Sequence, residues 1–126
     1  MGNLKSTGHK NLDVWSKSIQ LVTIIYDLTN DFPKSEEFGL KSQIRRSAVS
    51  IPSNIAEGAG RMNKKEFIHF LYISLGSLSE LDTQLIIAGN LKYINYMEDL
   101  SNTILSIKQM LNGLINSLYG GIKSKT

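Results

Sequence analysis

The chain has no cysteine, only two histidines and two prolines, and a single tryptophan. Without cysteine there is no disulfide, no thiolate nucleophile and no sulfur-rich zinc site, which suits a reducing compartment. Two histidines and scattered carboxylates do not assemble a nucleophile, a base and an orienting group, so the expectation is a protein that is not an enzyme and holds no cofactor. No run approaches the roughly eighteen apolar residues of a membrane helix. The opening MGNLKSTGHK is too polar for the apolar core of a signal peptide. The reading is a soluble, cytoplasmic protein. Arginine is also scarce, and Arg45, Arg46 and Arg61 all fall in one stretch, RRSAVSIPSNIAEGAGR.

That stretch sits in the most basic part of the chain. Lys41, Arg45, Arg46, Arg61, Lys64 and Lys65 face one acid, Glu57, so this segment carries +5 of a net +3 and the remainder is −2. At 126 residues the chain fits one domain.

Apolar spacing predicts four helices. The first runs from about Asp13 to Asn30, with Asp13 as its cap. It carries Trp15, Ile19, Val22, Tyr26 and Thr29 on one stripe and Val14, Leu21, Ile25 and Leu28 on the next. Pro33 ends it. The second starts between Ser35 and Gly39 and carries Leu40, Ile44, Ala48, Ile51, Ile55 and Ala59 straight across Pro52, stopping at Gly58 or Gly60. Proline there removes a hydrogen bond and crowds the carbonyl of Ala48, so the helix either kinks or restarts, with Ser50 and Ser53 placed to serve the freed groups. The third opens at Asn63 and Glu66, spaced as a capping box, and stops at Ala88 before Gly89. The fourth opens on a second such pair, Asn95 and Glu98, and fades at GGIKSKT. Short connections make this an all-α, antiparallel up-down-up-down four-helix bundle. The bundle spans 13–119, with a flexible leader 1–12 and a flexible tail 120–126. Apolar breadth on the first and third helices predicts that the bundle associates with itself.

The core RRSAVSIPSNIAEG, followed by GR, KKEF, FLYIS and GSLSEL, with NLDVWSKSIQL before and MLNGLINSLY after, resembles the four-helix bundle proteins encoded in intervening sequences of 23S ribosomal RNA genes. The resemblance covers nearly the whole chain. It implies a homopentamer with a basic surface. A related protein, the accessory variability determinant of diversity-generating retroelements, binds nucleic acid and associates with a reverse transcriptase.

Two kinds of site follow. Lys41, Arg45, Arg46, Arg61, Lys64 and Lys65 form a candidate phosphate-binding surface for RNA or DNA. Arginine's fork suits carboxylates equally, so Arg45 or Arg46 has an alternative in Glu57, Glu80 or Asp82. The small-residue run Ser47, Ala48, Ser50, Pro52, Ser53, Ala56, Gly58 and Ala59, with Asn54 and Glu57, is a candidate packing or subunit interface. The turn GAGRMNKKE lacks the lysine and hydroxyl of a P-loop, but the start of the third helix offers amides beside Lys64 and Lys65. Glu66 and His69 match one half of a di-iron motif without the other half. His69 therefore reads as interfacial or partly buried. Trp15, Tyr26, Phe67, Phe70 and Tyr72 read as core or interface aromatics. The preferred function is an oligomer that binds nucleic acid. The alternative is a scaffold ring that holds a protein partner, such as a polymerase or a ribosome-associated factor.

Overall fold

The structure, a computed structural model, describes residues 8–96 and 98–123. Among them are four α-helices and no strand: α1 Asp13–Thr29, α2 Leu40–Ala59, α3 Lys64–Asn90 and α4 Glu98–Lys123. Short 3-10 turns occupy Gly8–Asn11 and Lys34–Glu36. The most extensive packing is between α2 and α3. α1 lies on α2, α3 on α4, and α1 also meets α4, with no close backbone approach across either diagonal. Leu21 and Ile25 of α1, Ile44, Ile51 and Ile55 of α2, Leu71, Leu81 and Leu85 of α3, and Ile107 and Leu111 of α4 are fully buried between them. Each contributes on the order of 1.5–3 kcal/mol of burial.

The helix ends depart from the expected ones in instructive ways. Asp13 is the first residue of α1 rather than its cap, a position held by Leu12 without a side-chain bond. Its carboxylate still lies in the first turn, where the helix dipole favours it. Residues 8–12 include the Gly8–Asn11 turn, with His9 edge-on to Trp15 at 5.1 Å. α2 has Gly39 at its cap, and the missing side chain is replaced by Glu36, whose Oε1 accepts from the Leu40 amide at 3.0 Å. The other oxygen of Glu36 accepts from the Tyr93 hydroxyl at 3.1 Å. One carboxylate thus ties the start of α2 to the α3–α4 connection.

α2 runs unbroken through Pro52, so the helix does not restart there. Ser53 donates to the Val49 carbonyl at 2.8 Å, and Ser50 pairs with Ser77 of α3 at 2.8 Å. The sequence assigns both serines to the groups that Pro52 frees. Ser53 instead takes the carbonyl four residues back on its own helix, while Ser50 faces α3.

At Asn63 the expected cap is present: its Oδ1 accepts from the Glu66 backbone amide at 2.8 Å, while Glu66 Oε2 accepts from the Asn63 side-chain Nδ2 at 2.8 Å and not from its backbone N–H, so half of the capping box is made as expected. The expected pair of Asn95 and Glu98 does not form one, because α4 begins at Glu98 and Asn95 lies three residues ahead of it. α4 continues through Gly120 and Gly121 to Lys123. Residues 1–7, Met97 and 124–126 lie outside the described part.

α3 ends close to the expected Ala88. Gly89 and Asn90 add two helical residues, and the chain turns at Lys92, φ 66°. Tyr93 N donates to Ala88 O at 2.9 Å and Lys92 N to Gly89 O at 3.0 Å, the paired bonds of a Schellman motif, with lysine where glycine is usual. The left-handed conformation costs a side-chain-bearing residue about 1–2 kcal/mol. Lys92→Gly is therefore expected to raise stability by about 0.5–1 kcal/mol after glycine's own entropy is deducted. Urea unfolding measures it, and a loss would show that the lysine side chain makes a contact worth more than the backbone relief.

Candidate nucleic-acid interface

α2 separates the six basic residues of the candidate surface into two groups. Lys41, Arg45 and Arg46 stand near its start, and Arg61, Lys64 and Lys65 follow its end. At 1.5 Å per residue the helix from Arg45 to Ala59 rises about 21 Å. A single contiguous patch on one protomer is therefore not what the fold builds.

The first group is largely engaged with the protein. Lys41 pairs with Glu37 at 3.1 Å. Arg45 Nε donates to Thr29 Oγ1 at 2.8 Å, and its Nη2 reaches the Tyr26 carbonyl at 3.1 Å and Asn30 Oδ1 at 3.3 Å. The guanidinium also lies 4.3 Å from the centre of the Tyr26 ring. Arg45 thus caps the C-terminal end of α1, where carbonyls without helical partners favour a cation. Arg46 is exposed and, among the described residues, has no ion-pair partner. The carboxylates offered as alternatives for these arginines are taken elsewhere or left apart. Glu57 binds Arg61 at 2.7 Å, Asp82 accepts from the Tyr96 hydroxyl at 2.5 Å, and Glu80 pairs with neither arginine. Burial, and then the Asp82 carboxylate, push the Tyr96 phenol well above its ordinary pKa. Tyr26, Phe38, Lys41, Ser42, Arg46 and Val49 line an open groove of about 580 Å³ beside α1.

The second group is freer. Arg61, besides Glu57, lies 4.0 Å from Glu66 and over the Phe70 ring at 4.9 Å. Lys64 reaches over Gly121, near the C-terminal end of α4. Lys65 is exposed with no ion-pair partner among the described residues. Gly8 approaches Ala59 here as well, so the starts of α1 and α3 and the ends of α2 and α4 come together. Lys17 lies in the second turn of α1. Against these four bases stand Asp13, Glu57 and Glu66. The opposite end has Lys34, Lys41, Arg45, Arg46 and Lys92 against seven acids: Asp27, Asp31, Glu36, Glu37, Asp82, Glu98 and Asp99. Among the described side chains the two ends thus differ in the sign of their charge. Counting within the segment 41–65 misses Lys17, which reaches this end through the path of the chain and not through sequence proximity.

The small-residue run serves two faces. Toward α3, Ser47, Ala48 and Gly58 are buried, and a Cβ on Gly58 would lie 2.8 Å from Phe70 Cβ. Ser74 Oγ donates to the Ile51 carbonyl at 2.9 Å, and Asn54 Nδ2 donates to the Ser50 carbonyl at 2.8 Å. Toward α1, Pro52, Ser53 and Ala56 line a shallow hollow with Trp15, Ile19 and Val22. Asn54 and Glu57 do not bond each other, since Glu57 is held by Arg61. His69 is exposed in the single copy, which removes the partly buried reading and leaves the interfacial one, with its ring edge-on to Phe70 at 5.4 Å. Tyr26 and Tyr72 are likewise exposed, which leaves the interface half of their expected role. No group of three or more metal-ligating side chains occurs among the described residues, and none of their helices is long and apolar enough to cross a membrane.

Helix order, buried stripes and surface cations define an all-α, four-helix protein. Residues 10–113 match the 23S rRNA-intervening sequence protein family, and the chain belongs to that family. Its fold is similar to the crystal structure of a protein of unknown function from the S23 ribosomal protein family of Bacteroides thetaiotaomicron. That likeness has a TM-score of 0.75 and 28% identity, and covers 82% of this chain and 95% of that one. No curated protein matches the chain.

Proposed function

We propose that this protein is a non-enzymatic homo-oligomer, a pentamer of up-down-up-down bundles, that works in the cytoplasm and holds RNA or DNA by its phosphates. The observation that carries this reading is the basic end, where Arg61, Lys64 and Lys65 surround the start of α3. Amides at a helix start and mobile ammonium groups suit a phosphate backbone and read no base sequence. The up-down-up-down path is supported by contacts of opposite sense along successive helices. Arg45 meets Tyr26, Ser50 meets Ser77, and Asp82 meets Tyr96. α2 is bent at Pro52, where the ring removes a backbone donor. Cyclic repetition would multiply the basic end into a band. Phosphate binding of this kind needs no cofactor.

The test is a light-scattering mass with and without a mixed-sequence structured RNA at low and high salt. The expected result is an oligomer that gains RNA mass only at low salt. Replacing Arg61, Lys64 and Lys65 together by alanine should then lower the slope of log affinity against log salt by about three. A stable oligomer that never takes up RNA would favour the second reading, a ring that holds a protein partner. For that reading the exposed Tyr72, Ile73, Ile86 and Ile87 of α3 are the motivating observation. A monomer would defeat both.

A further inference from the structure

Phe38 stands at the α1–α2 connection with 96% of its surface in water, on a flank that also presents Lys41, paired with Glu37, and the unpaired Arg46, which leaves it net positive. On the other flank of α1, Ile24 and Leu28 join Leu100 and Thr103 of α4 around a mainly apolar hollow of about 260 Å³, with Asn95 and Asp99 at its edge. A dry cavity of about 150 Å³ is enough to admit benzene, so this hollow can take a phenylalanine ring. The two flanks are opposite in charge. Asp99 has no ion-pair partner among the described residues, and Asp27 and Glu98 stand beside Leu28 and Asp99 in the chain.

We propose that Phe38 of one copy seats in the Ile24–Leu28–Leu100 hollow of the next, with Arg46 meeting Asp99 across the contact. This rests on the oligomer reading above and assigns it a surface. Knob and hollow are different patches, so the contact is heterologous and propagates from copy to copy. Both lie at the same end of the bundle, since Leu28 ends α1 and Asp99 begins α4 just where the α1–α2 connection passes. Neighbouring copies are therefore set side by side with little offset along their axes, the arrangement that lets a ring close instead of a filament grow.

The test is the light-scattering mass of the full chain without nucleic acid, over a dilution series, for the wild type, Phe38→Ala, Ile24→Lys, Asp99→Arg and the pair Arg46→Asp with Asp99→Arg. Phe38 and Ile24 are exposed in the single copy, so both substitutions should leave helical content unchanged. Each should weaken association about thirtyfold or more, the size of an interface hot spot. Asp99→Arg should weaken it too, and the added Arg46→Asp should restore it. A wild type that is monomeric at every concentration overturns this contact together with the oligomer it rests on. An oligomer indifferent to Phe38→Ala overturns the contact alone. Loss in Phe38→Ala without recovery in the charge-swapped pair overturns the seating in this hollow.

Discussion

Gly58→Val should lower folding stability by about 3 kcal/mol, and Gly58→Ala by about 1–2 kcal/mol. Gly58 is buried on α2, facing Phe67 and Phe70 of α3. A Cβ there would fall 2.8 Å from Phe70 Cβ, 2.9 Å from Phe67 Cδ1 and 3.2 Å from the Phe67 carbonyl oxygen. The Phe67 ring can swing aside. The Phe70 Cβ and the Phe67 carbonyl are fixed to the α3 backbone, so the two helices must part. Parting them loosens Ile55 and Leu71, both fully buried. Alanine recovers about 1 kcal/mol of helix propensity over glycine, which is why its net cost is smaller than the overlap alone implies. Valine recovers less and adds two methyl groups to the same gap. Urea unfolding should show a lower midpoint with an unchanged slope. A neutral Gly58→Ala would mean that α2 and α3 separate freely and that the glycine is not what sets their distance.

The sequence shows the helices well because a buried stripe at three- and four-residue spacing leaves a periodic trace. Ile44, Ile51 and Ile55, or Ile104, Ile107 and Leu111, can be picked out before any fold is known. Helix ends are less legible, since the group that completes them need not be adjacent. The start of α2 is capped by Glu36 from a preceding turn, and α3 runs past Gly89 to turn at Lys92. A glycine marks where a turn is cheap, not where tertiary packing places it. The stripes also mislead where two are apolar. On α1 the stripe of Val14, Leu21 and Ile25 is the core, while Ile19 and Tyr26 of the other stripe remain exposed. The basic surface is the least legible feature, because proximity in sequence is not proximity in space. Lys41 and Lys65 are separated by the length of α2, whereas Lys64 and Gly121 meet.

Arg45→Ala should lower stability by about 2 kcal/mol, while Arg46→Ala one position on stays within about 0.5 kcal/mol of the wild type. The two arginines are adjacent, but successive side chains on a helix point about 100° apart. That rotation aims Arg45 at the end of α1 and Arg46 at water. Alanine at 45 removes the bonds to Thr29, the Tyr26 carbonyl and Asn30, together with the cation over the Tyr26 ring. The loss is bounded because Thr29 keeps its own donation to the Ile25 carbonyl at 2.8 Å, and because water can reach Asn30. Arg45→Lys should recover less than half of it, since an ammonium cannot span the hydroxyl and the carbonyl with the fixed fork of a guanidinium. The same pair separates folding from assembly. Compared at equal folded concentration, Arg45→Ala should bind RNA nearly as well as the wild type, and Arg46→Ala should weaken self-association by removing the partner of Asp99. If instead Arg45→Ala folds as stably as the wild type and loses RNA, the guanidinium is exchanged from α1 to the phosphate on binding. The clamp on Tyr26 and Asn30 would then be a resting state, not a permanent part of the fold.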